Sequence, residues 1–188
     1  MKKKPTREQA ENAVRTLLEY IGENPEREGL IQTPKRVVQS YNEFFSGYKQ
    51  NPEKILDSTF EDVEQYDEII LLKHIRVESY CEHHMVPILG IAHVAYIPNK
   101  KIVGISKISR LLDIFSKRLQ TQERLTTQIS LTIQKNLNPK GVAVIINASH
   151  NCMTTRGVHK TGASMTTNSM LGVFKQQDIR SKLLSLIG

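Results

Sequence analysis

The sequence predicts an α+β protein, in which an antiparallel sheet carries a pair of helices and follows an N-terminal helical region. Three observations lead there. Apolar residues recur at helical spacing in two N-terminal segments, Ile-, Leu- and Val-rich strand-like segments come as two pairs, and two further helical segments lie between those pairs. With 188 residues, 39% of them hydrophobic and 24% charged, the chain is long enough to bury one sizeable core.

Thr6 and Gln9 form a capping-box pair, and Val14, Leu17, Leu18 and Ile21 follow at helical spacing up to Gly22. A second helix is expected with Thr33 as its cap and Pro34 at its first position; Val37, Val38, Tyr41, Phe44 and Phe45 carry its apolar face to about Gly47. Residues 51–67 are polar and irregular and read as a connector. The expected division is therefore 1–66, a helical region with its connector, and 67–188, the main domain.

From Glu68 to Tyr80, Ile75, Val77 and Ser79 share one parity, as a strand requires, and Ile88 to Ile97 reads as its antiparallel partner. Ser106 is expected to cap a helix whose stripe is Ile108, Leu111, Leu112, Phe115 and Leu119. Leu125, Ile129, Ile133 and Leu137 mark the next helix, which Asn138-Pro139 stops. Gly141 to Cys152 reads as a strand with Val142, Val144, Ile146 and Ala148 on one face, a parity that runs on to His150 and Cys152. Met165 to Phe174 forms the last strand, and Ile179, Leu183, Leu184 and Ile187 a terminal helix. There is no repeat of fixed period and no low-complexity tract.

The charge is +7, from 26 Lys plus Arg against 19 Asp plus Glu, which favours a polyanionic partner. The basic residues are scattered among acids rather than gathered into an aromatic-interleaved stripe, so no nucleic-acid partner is expected; a triphosphate would satisfy the same field. Met1-Lys-Lys-Lys4 is followed by Pro5, Thr6, Arg7 and Glu8 instead of an apolar run, and no segment is long and apolar enough to span a membrane. With no export signal, the two cysteines, Cys81 and Cys152, are expected reduced in a cytoplasmic protein.

Chemistry concentrates in Cys81-Glu82-His83-His84, just after a strand, and in His150-Asn151-Cys152, at the end of another. Two thiolates with an imidazole suit zinc better than magnesium or calcium. Adjacent side chains diverge, so only one of His83 and His84 is expected to bind unless the backbone bends sharply. Three protein ligands with water at the fourth position would make a catalytic site, whereas Cys81, His84, His150 and Cys152 together would make a closed structural staple. Spacing leaves both open. A third reading, buried thiols and satisfied core histidines, would require five of the chain's eight histidines and cysteines to cluster idly at two strand ends.

At these residues the chain resembles the GTP cyclohydrolase I family, from about Asn24 to about Arg180. The likeness is carried by Asn24-Pro-Glu-Arg-Glu-Gly-Leu30 leading to Thr33-Pro-Lys-Arg36, Cys81-Glu-His-His84, Gly104-Ile-Ser-Lys107 through Arg110, Gln122-Glu-Arg-Leu125, His150 and Cys152 with Arg156-Gly-Val158, and Ser169-Met-Leu-Gly172. The resemblance implies a tunnelling fold, with 67–188 as the catalytic domain, assembled as two stacked rings in a homo-oligomer, a decamer, whose active sites lie between subunits. It implies hydrolysis of GTP to formate and 7,8-dihydroneopterin triphosphate, toward folate or pterin cofactors.

Carried over by position, the zinc ligands are Cys81, His84 and Cys152, and His150 and His83 are left for proton transfer. Glu123, assisted by Gln122, matches the anchor of guanine: one carboxylate can accept from both N1–H and the exocyclic amine. Lys107, Arg110, Arg156 and Arg36 match positions facing the triphosphate, to which Ser106 would add a hydroxyl. Each base taken singly would read as a solvated surface charge. Gln39 replaces a lysine found in many members, so that end of the pocket is expected to grip phosphate less tightly or borrow another cation; Thr155 replaces a common methionine. No long N-terminal regulatory extension is legible, so control by a partner protein is not expected. The competing reading is a non-catalytic, zinc-stapled nucleotide-binding module of the same fold.

Overall fold

The computed structural model describes residues 4–57, 59–60 and 66–188. The expected connector over 51–67 lies partly outside them, at 58 and 61–65, as do residues 1–3 of the basic N-terminus. Two compact units are present, Met1–Ser46 and Gly47–Gly188.

In the first unit, α1 (Arg7–Tyr20) packs against α2 (Thr33–Phe44). The capping box forms reciprocally: Thr6 Oγ1 accepts from the Gln9 amide at 3.2 Å, and the Gln9 side chain accepts from the Thr6 amide at 2.9 Å. At α2 the expected cap moves. Gln32 occupies the cap position and Thr33 is already helical, its Oγ1 accepting from Arg36 at 3.1 Å, while Pro34 stands in the first turn, where no N–H is needed. The helix stops at Phe44, and the expected terminator Gly47 lies in a 3₁₀ turn, Ser46–Lys49.

In the second unit a two-residue strand, β1 (Thr59–Phe60), pairs with β4 (Ile102–Val103). The main sheet contains β2 (Ile70–Cys81), β3 (Pro87–Ile97), β5 (Leu119–Gln120), β6 (Gly141–His150) and β7 (Met165–Gly172), in the order β5-β2-β3-β6-β7. Its long neighbours are all antiparallel, as expected; the short β5 alone runs parallel, against the end of β2. A bulge interrupts β2 between Leu72 and Ile75, where His74 adopts φ 56°, and past it Ile75, Val77, Ser79 and Cys81 turn the same way.

The inward face of the sheet presents Val77, Ala92, Val94, Val142, Val144, Ile146 and Ala148 to the helix pair α3 (Ile105–Ser116) and α4 (Gln122–Leu137). Ile108, Leu111, Leu112 and Phe115 come from α3, and Leu125, Ile129, Ile133 and Leu137 from α4. Thr121 caps α4, and Asn138 ends it in the left-handed conformation just before Pro139. Two expectations for α3 need correction. Its backbone turn begins at Gly104, whose carbonyl accepts from Lys107 at 2.8 Å, so Ser106 is already inside the first turn and caps nothing. Leu119 leaves the stripe because the helix ends at Ser116 and the chain turns into β5 beside Tyr80.

β6 also ends earlier than expected, at His150, and Cys152 lies in a single helical turn, α5 (Asn151–Thr154). The two residues thus sit in different backbone conformations and do not continue one strand face. On the outward face, Ala95, Ile97 and Ala143 pack with Phe174 and with Leu183 of α6 (Gln177–Ile187), while Leu89 and Ile91 remain exposed.

At Gly90 β3 leaves no room for a side chain against β6: a Cβ would stand 2.1 Å from the Asn147 carbonyl oxygen and 2.6 Å from the Ala148 Cα. Backbone cannot give way as a side chain can. Gly90→Ala is therefore expected to cost about 2–3 kcal/mol of stability, read from the urea midpoint, although alanine ordinarily improves on glycine in a strand. An unshifted midpoint would contradict this packing.

Candidate active site

Because β2 and β6 both run against β3, they point the same way, and their C-terminal ends lie at one edge of the sheet. The register shows it: Ile88 stands opposite Ser79 on one side and His150 on the other. Beyond Tyr80 the chain folds back tightly. Cys81 donates its amide to Val86 at 2.9 Å, its carbonyl accepts from Met85 at 2.8 Å, and Met85 adopts φ 56° to close the reversal. This bend brings both neighbouring histidines to Cys81, with the Nδ1 atoms of His83 and His84 each 3.8 Å from Sγ.

Only His84 joins the second cysteine. One donor atom from each of Cys81, His84 and Cys152 lies within 4.8 Å of the others, and both cysteines are free thiols. A tetrahedral zinc would separate its sulfur and nitrogen donors by about 3.6 Å, close to the 3.8 Å between Cys81 Sγ and His84 Nδ1. The donor set and its spacing fit zinc. Among the described residues His150 stands outside this group, its Nε2 held 2.8 Å from Gln122 Oε1.

Beside the three donors is a cleft of about 180 Å³ lined by His83, Ile88, Thr121, Gln122, Glu123, His150 and Met165 among others. It is smaller than the roughly 300–1,000 Å³ of a complete small-molecule site. Glu123 is exposed at the start of α4, its carboxylate available to a ligand, whereas Gln122 is buried and its amide engaged on all sides. Burial lowers the pKa of His150 below the ordinary imidazole value, against an opposing pull from Glu123. Burial, and then the neighbouring Cys81, raises the pKa of the Cys152 thiol; a bound cation would reverse that preference.

The expected phosphate residues are dispersed. Arg156, exposed after α5, donates to His84 Nε2 at 2.9 Å, and nearby the Thr155 hydroxyl donates to the Asn151 carbonyl. Ser106, Lys107 and Arg110 stand on the first turns of α3, just after Val103, whose amide bonds the Tyr96 hydroxyl at 3.3 Å. Tyr96 is eight residues along β3 from Ile88, about 27 Å of extended chain from the Cys-His-Cys end. Arg36 belongs to the N-terminal unit, where it donates to the Gly29 carbonyl and Thr33 Oγ1; Gln39 is exposed on the same helix.

Sequence reasoning assigned no role to a second layer behind the donors. Glu82 donates its amide to the Gln120 carbonyl at 3.0 Å and pairs through its carboxylate with Arg124. Arg124 also donates to Gln120 Oε1 at 3.0 Å and the Leu119 carbonyl at 2.9 Å, and buried Gln120 donates onward to Phe115 and Gln128. Its only signal in the sequence was adjacency, since Glu82 and Arg124 each neighbour a residue with an expected role.

Three converging donors, with two histidines and a carboxylate lining the adjoining cleft, define a candidate metal-dependent hydrolytic centre on an α+β fold. The chain belongs to the GTP cyclohydrolase I family, whose model matches residues 10–188. It is 53% identical over 185 residues to GTP cyclohydrolase 1 of Maricaulis maris (strain MCS10), covering 98% of this chain and 90% of that protein. The Pelagibacter ubique (strain HTCC1062) GTP cyclohydrolase 1 is 52% identical over 186 residues (98% and 92% covered), and that of Brucella suis (strain ATCC 23445 / NCTC 10510) 53% over 186 residues (98% and 87%). Among solved structures, the apo archaeosine synthase QueF-Like aligns with 55% of this chain and 93% of its own at 20% identity and a TM-score of 0.47.

If the Glu82–Arg124 pair orients the loop bearing Cys81 and His84, Arg124→Ala should weaken zinc affinity by about tenfold, the usual scale for losing an outer-shell partner. Competition with a chromogenic chelator measures it. Unchanged affinity would leave the pair a surface contact only.

Proposed function

We propose that this chain hydrolyses GTP to formate and 7,8-dihydroneopterin triphosphate, a step toward folate and pterin cofactors, using zinc held by Cys81, His84 and Cys152. The observation that carries the reading is the convergence of those three donors beside a cleft lined by His83, Glu123 and His150, in a chain of this family. A zinc ion held by these three residues would supply a water acid enough to ionise near neutral pH.

The chain's own groups supply the rest. The Glu123 carboxylate accepts from guanine N1–H and the exocyclic amine, a pair of donors adenine does not offer. His150 protonates N7, which makes C8 more electrophilic, and its burial suits an imidazole that gives its proton away readily. His83 moves protons during ring opening and release of formate. Lys107, Arg110, Arg156, Arg36 and Ser106 hold the triphosphate.

This set needs more than one copy of the chain. α3 starts, with Ser106 and Lys107, near the opposite end of the sheet from the donors, Arg110 lies about a turn further along it, and the cleft is too small for a whole nucleotide. A homo-oligomer, as two stacked rings forming a decamer, lets one subunit's α3 face another's Cys-His-Cys cluster. Leu17, Ile21, Leu89 and Ile91, exposed on the chain alone, supply apolar surface for such contacts. No helix among the described residues is long and apolar enough to cross a membrane, and we place the enzyme in the cytoplasm, where its thiols stay reduced.

Purified zinc-loaded protein should release formate from GTP, while Cys152→Ser and His84→Ala lose metal and turnover together; turnover by metal-free protein would refute the zinc role. For His150→Ala the expectation is full zinc content with turnover lowered at least about a hundredfold, and a near-normal rate would remove His150 from the reaction. Shared sites make a further prediction. Lys107→Ala and Cys152→Ser proteins, each inactive, should regain partial activity when dissociated and reassembled together, because mixed interfaces contain one intact set. No recovery would argue for sites built within single chains.

A further inference from the structure

The cleft contains a buried amide whose orientation can be read from its partners. Gln122, the first residue of α4, is 1% exposed. Its Nε2 lies 3.0 Å from the Ile146 carbonyl, 2.9 Å from the Met165 carbonyl and 3.1 Å from Thr167 Oγ1, three acceptors that share its two hydrogens, and its Oε1 stands 2.8 Å from His150 Nε2.

Carbonyl oxygens only accept, so two of these partners require nitrogen at that end of the amide. The hydroxyl agrees. Thr126 must give its hydrogen to the Gln122 main-chain carbonyl, 2.7 Å away, and Thr167, 2.7 Å from Thr126 Oγ1, therefore donates to Thr126 and offers Gln122 lone pairs alone. A flipped amide would set oxygen against three acceptors in a buried site. The amide oxygen thus faces His150, and because it cannot donate, the imidazole nitrogen opposite must carry the hydrogen.

We propose that Gln122 is a positioning residue that holds neutral His150 in its Nε2–H form, leaving Nδ1 as the nitrogen that exchanges the reaction's proton. The inference rests on the reading of His150 as the acid and deepens it. In one turnover Nδ1 takes a proton from solvent, giving an imidazolium with hydrogen on both nitrogens. Nδ1–H then donates to N7 of the base, and the ring returns to its Nε2–H form while the bond to Gln122 is kept. A ring held at one nitrogen delivers its proton from a defined direction, which is what a fixed tautomer contributes.

Magic-angle-spinning ¹⁵N spectra of the zinc-loaded, ¹⁵N-histidine-labelled full chain test the proposal, recorded at about pH 8, where imidazole is neutral. His150 is assigned by the signals that vanish in His150→Gln. A hydrogen on Nε2 and a bare Nδ1 are expected; a bare Nε2 overturns the proposal, and that reading needs no variant in position 122. Gln122→Met, nearly isosteric but without the acceptor, should give a mixture of tautomers and a kcat reduced about ten- to a hundredfold, with KM for GTP and zinc content unchanged. Thr167→Val, a milder change that loosens the amide while leaving its oxygen, should shift both readouts in the same direction by less. Wild-type kcat and an unmixed tautomer in Gln122→Met would overturn the positioning role even where His150→Ala is inactive. Normal turnover by His150→Ala would instead sink the acid assignment, and with it the role of Nδ1, whatever the tautomer.

Discussion

Ile88 has a neighbour on each side, Ser79 of β2 and His150 of β6, and the candidate site depends on that double register. Two strands that both oppose a third must themselves be codirectional, so the segments following them emerge at one edge although about seventy residues separate them in sequence. A slip of one residue in either pairing would turn inward-facing side chains outward and part the donors. The inward row from Val142 to Ala148 packs against two helices, and that burial opposes any slip. Core packing and metal-donor geometry are in this sense one constraint.

The start of α4 organises what the strands bring together. Thr121 caps the helix, Gln122 turns inward to His150, Glu123 lines the cleft, and Arg124 reaches back to Glu82 beside Cys81. Successive helical residues project about 100° apart, so four consecutive side chains serve four directions without a bend in the backbone. The parallel contact of β5 with the end of β2 supports this arrangement, because it places Gln120 opposite Cys81 and delivers the chain into α4 at that edge.

The remaining charge is distributed by the same topology. Soft donors and histidines gather where β2 and β6 end, while Lys107 and Arg110 stand on a helix that starts near the opposite edge. Within the single chain the donor cluster and the start of that basic helix therefore lie apart, so any one site that used both would have to draw on two copies.

Local chemistry was legible wherever neighbours in sequence are also neighbours in space. The Thr6–Gln9 box, the Asn138-Pro139 stop, the stripe of α4 and the alternation of β6 all depend on residues within a turn or a strand, and each formed as read. Readings failed where a boundary was decided by the next element: Ser106 lost its cap to Gly104, Leu119 was drawn into β5, and Cys152 left the strand for a helical turn. The amino-acid sequence by itself determined the α+β class, the family and the choice of two thiols and an imidazole, since composition, spacing and motif order are properties of the chain. Spacing left open which histidine meets Cys152, and the family likeness named His84, the one the fold brings there; only the tertiary structure decided where Gln122 points and how Glu82 and Arg124 brace the loop. Those contacts join segments distant along the backbone, and their geometry is set by strand register and helix packing that no local pattern encodes.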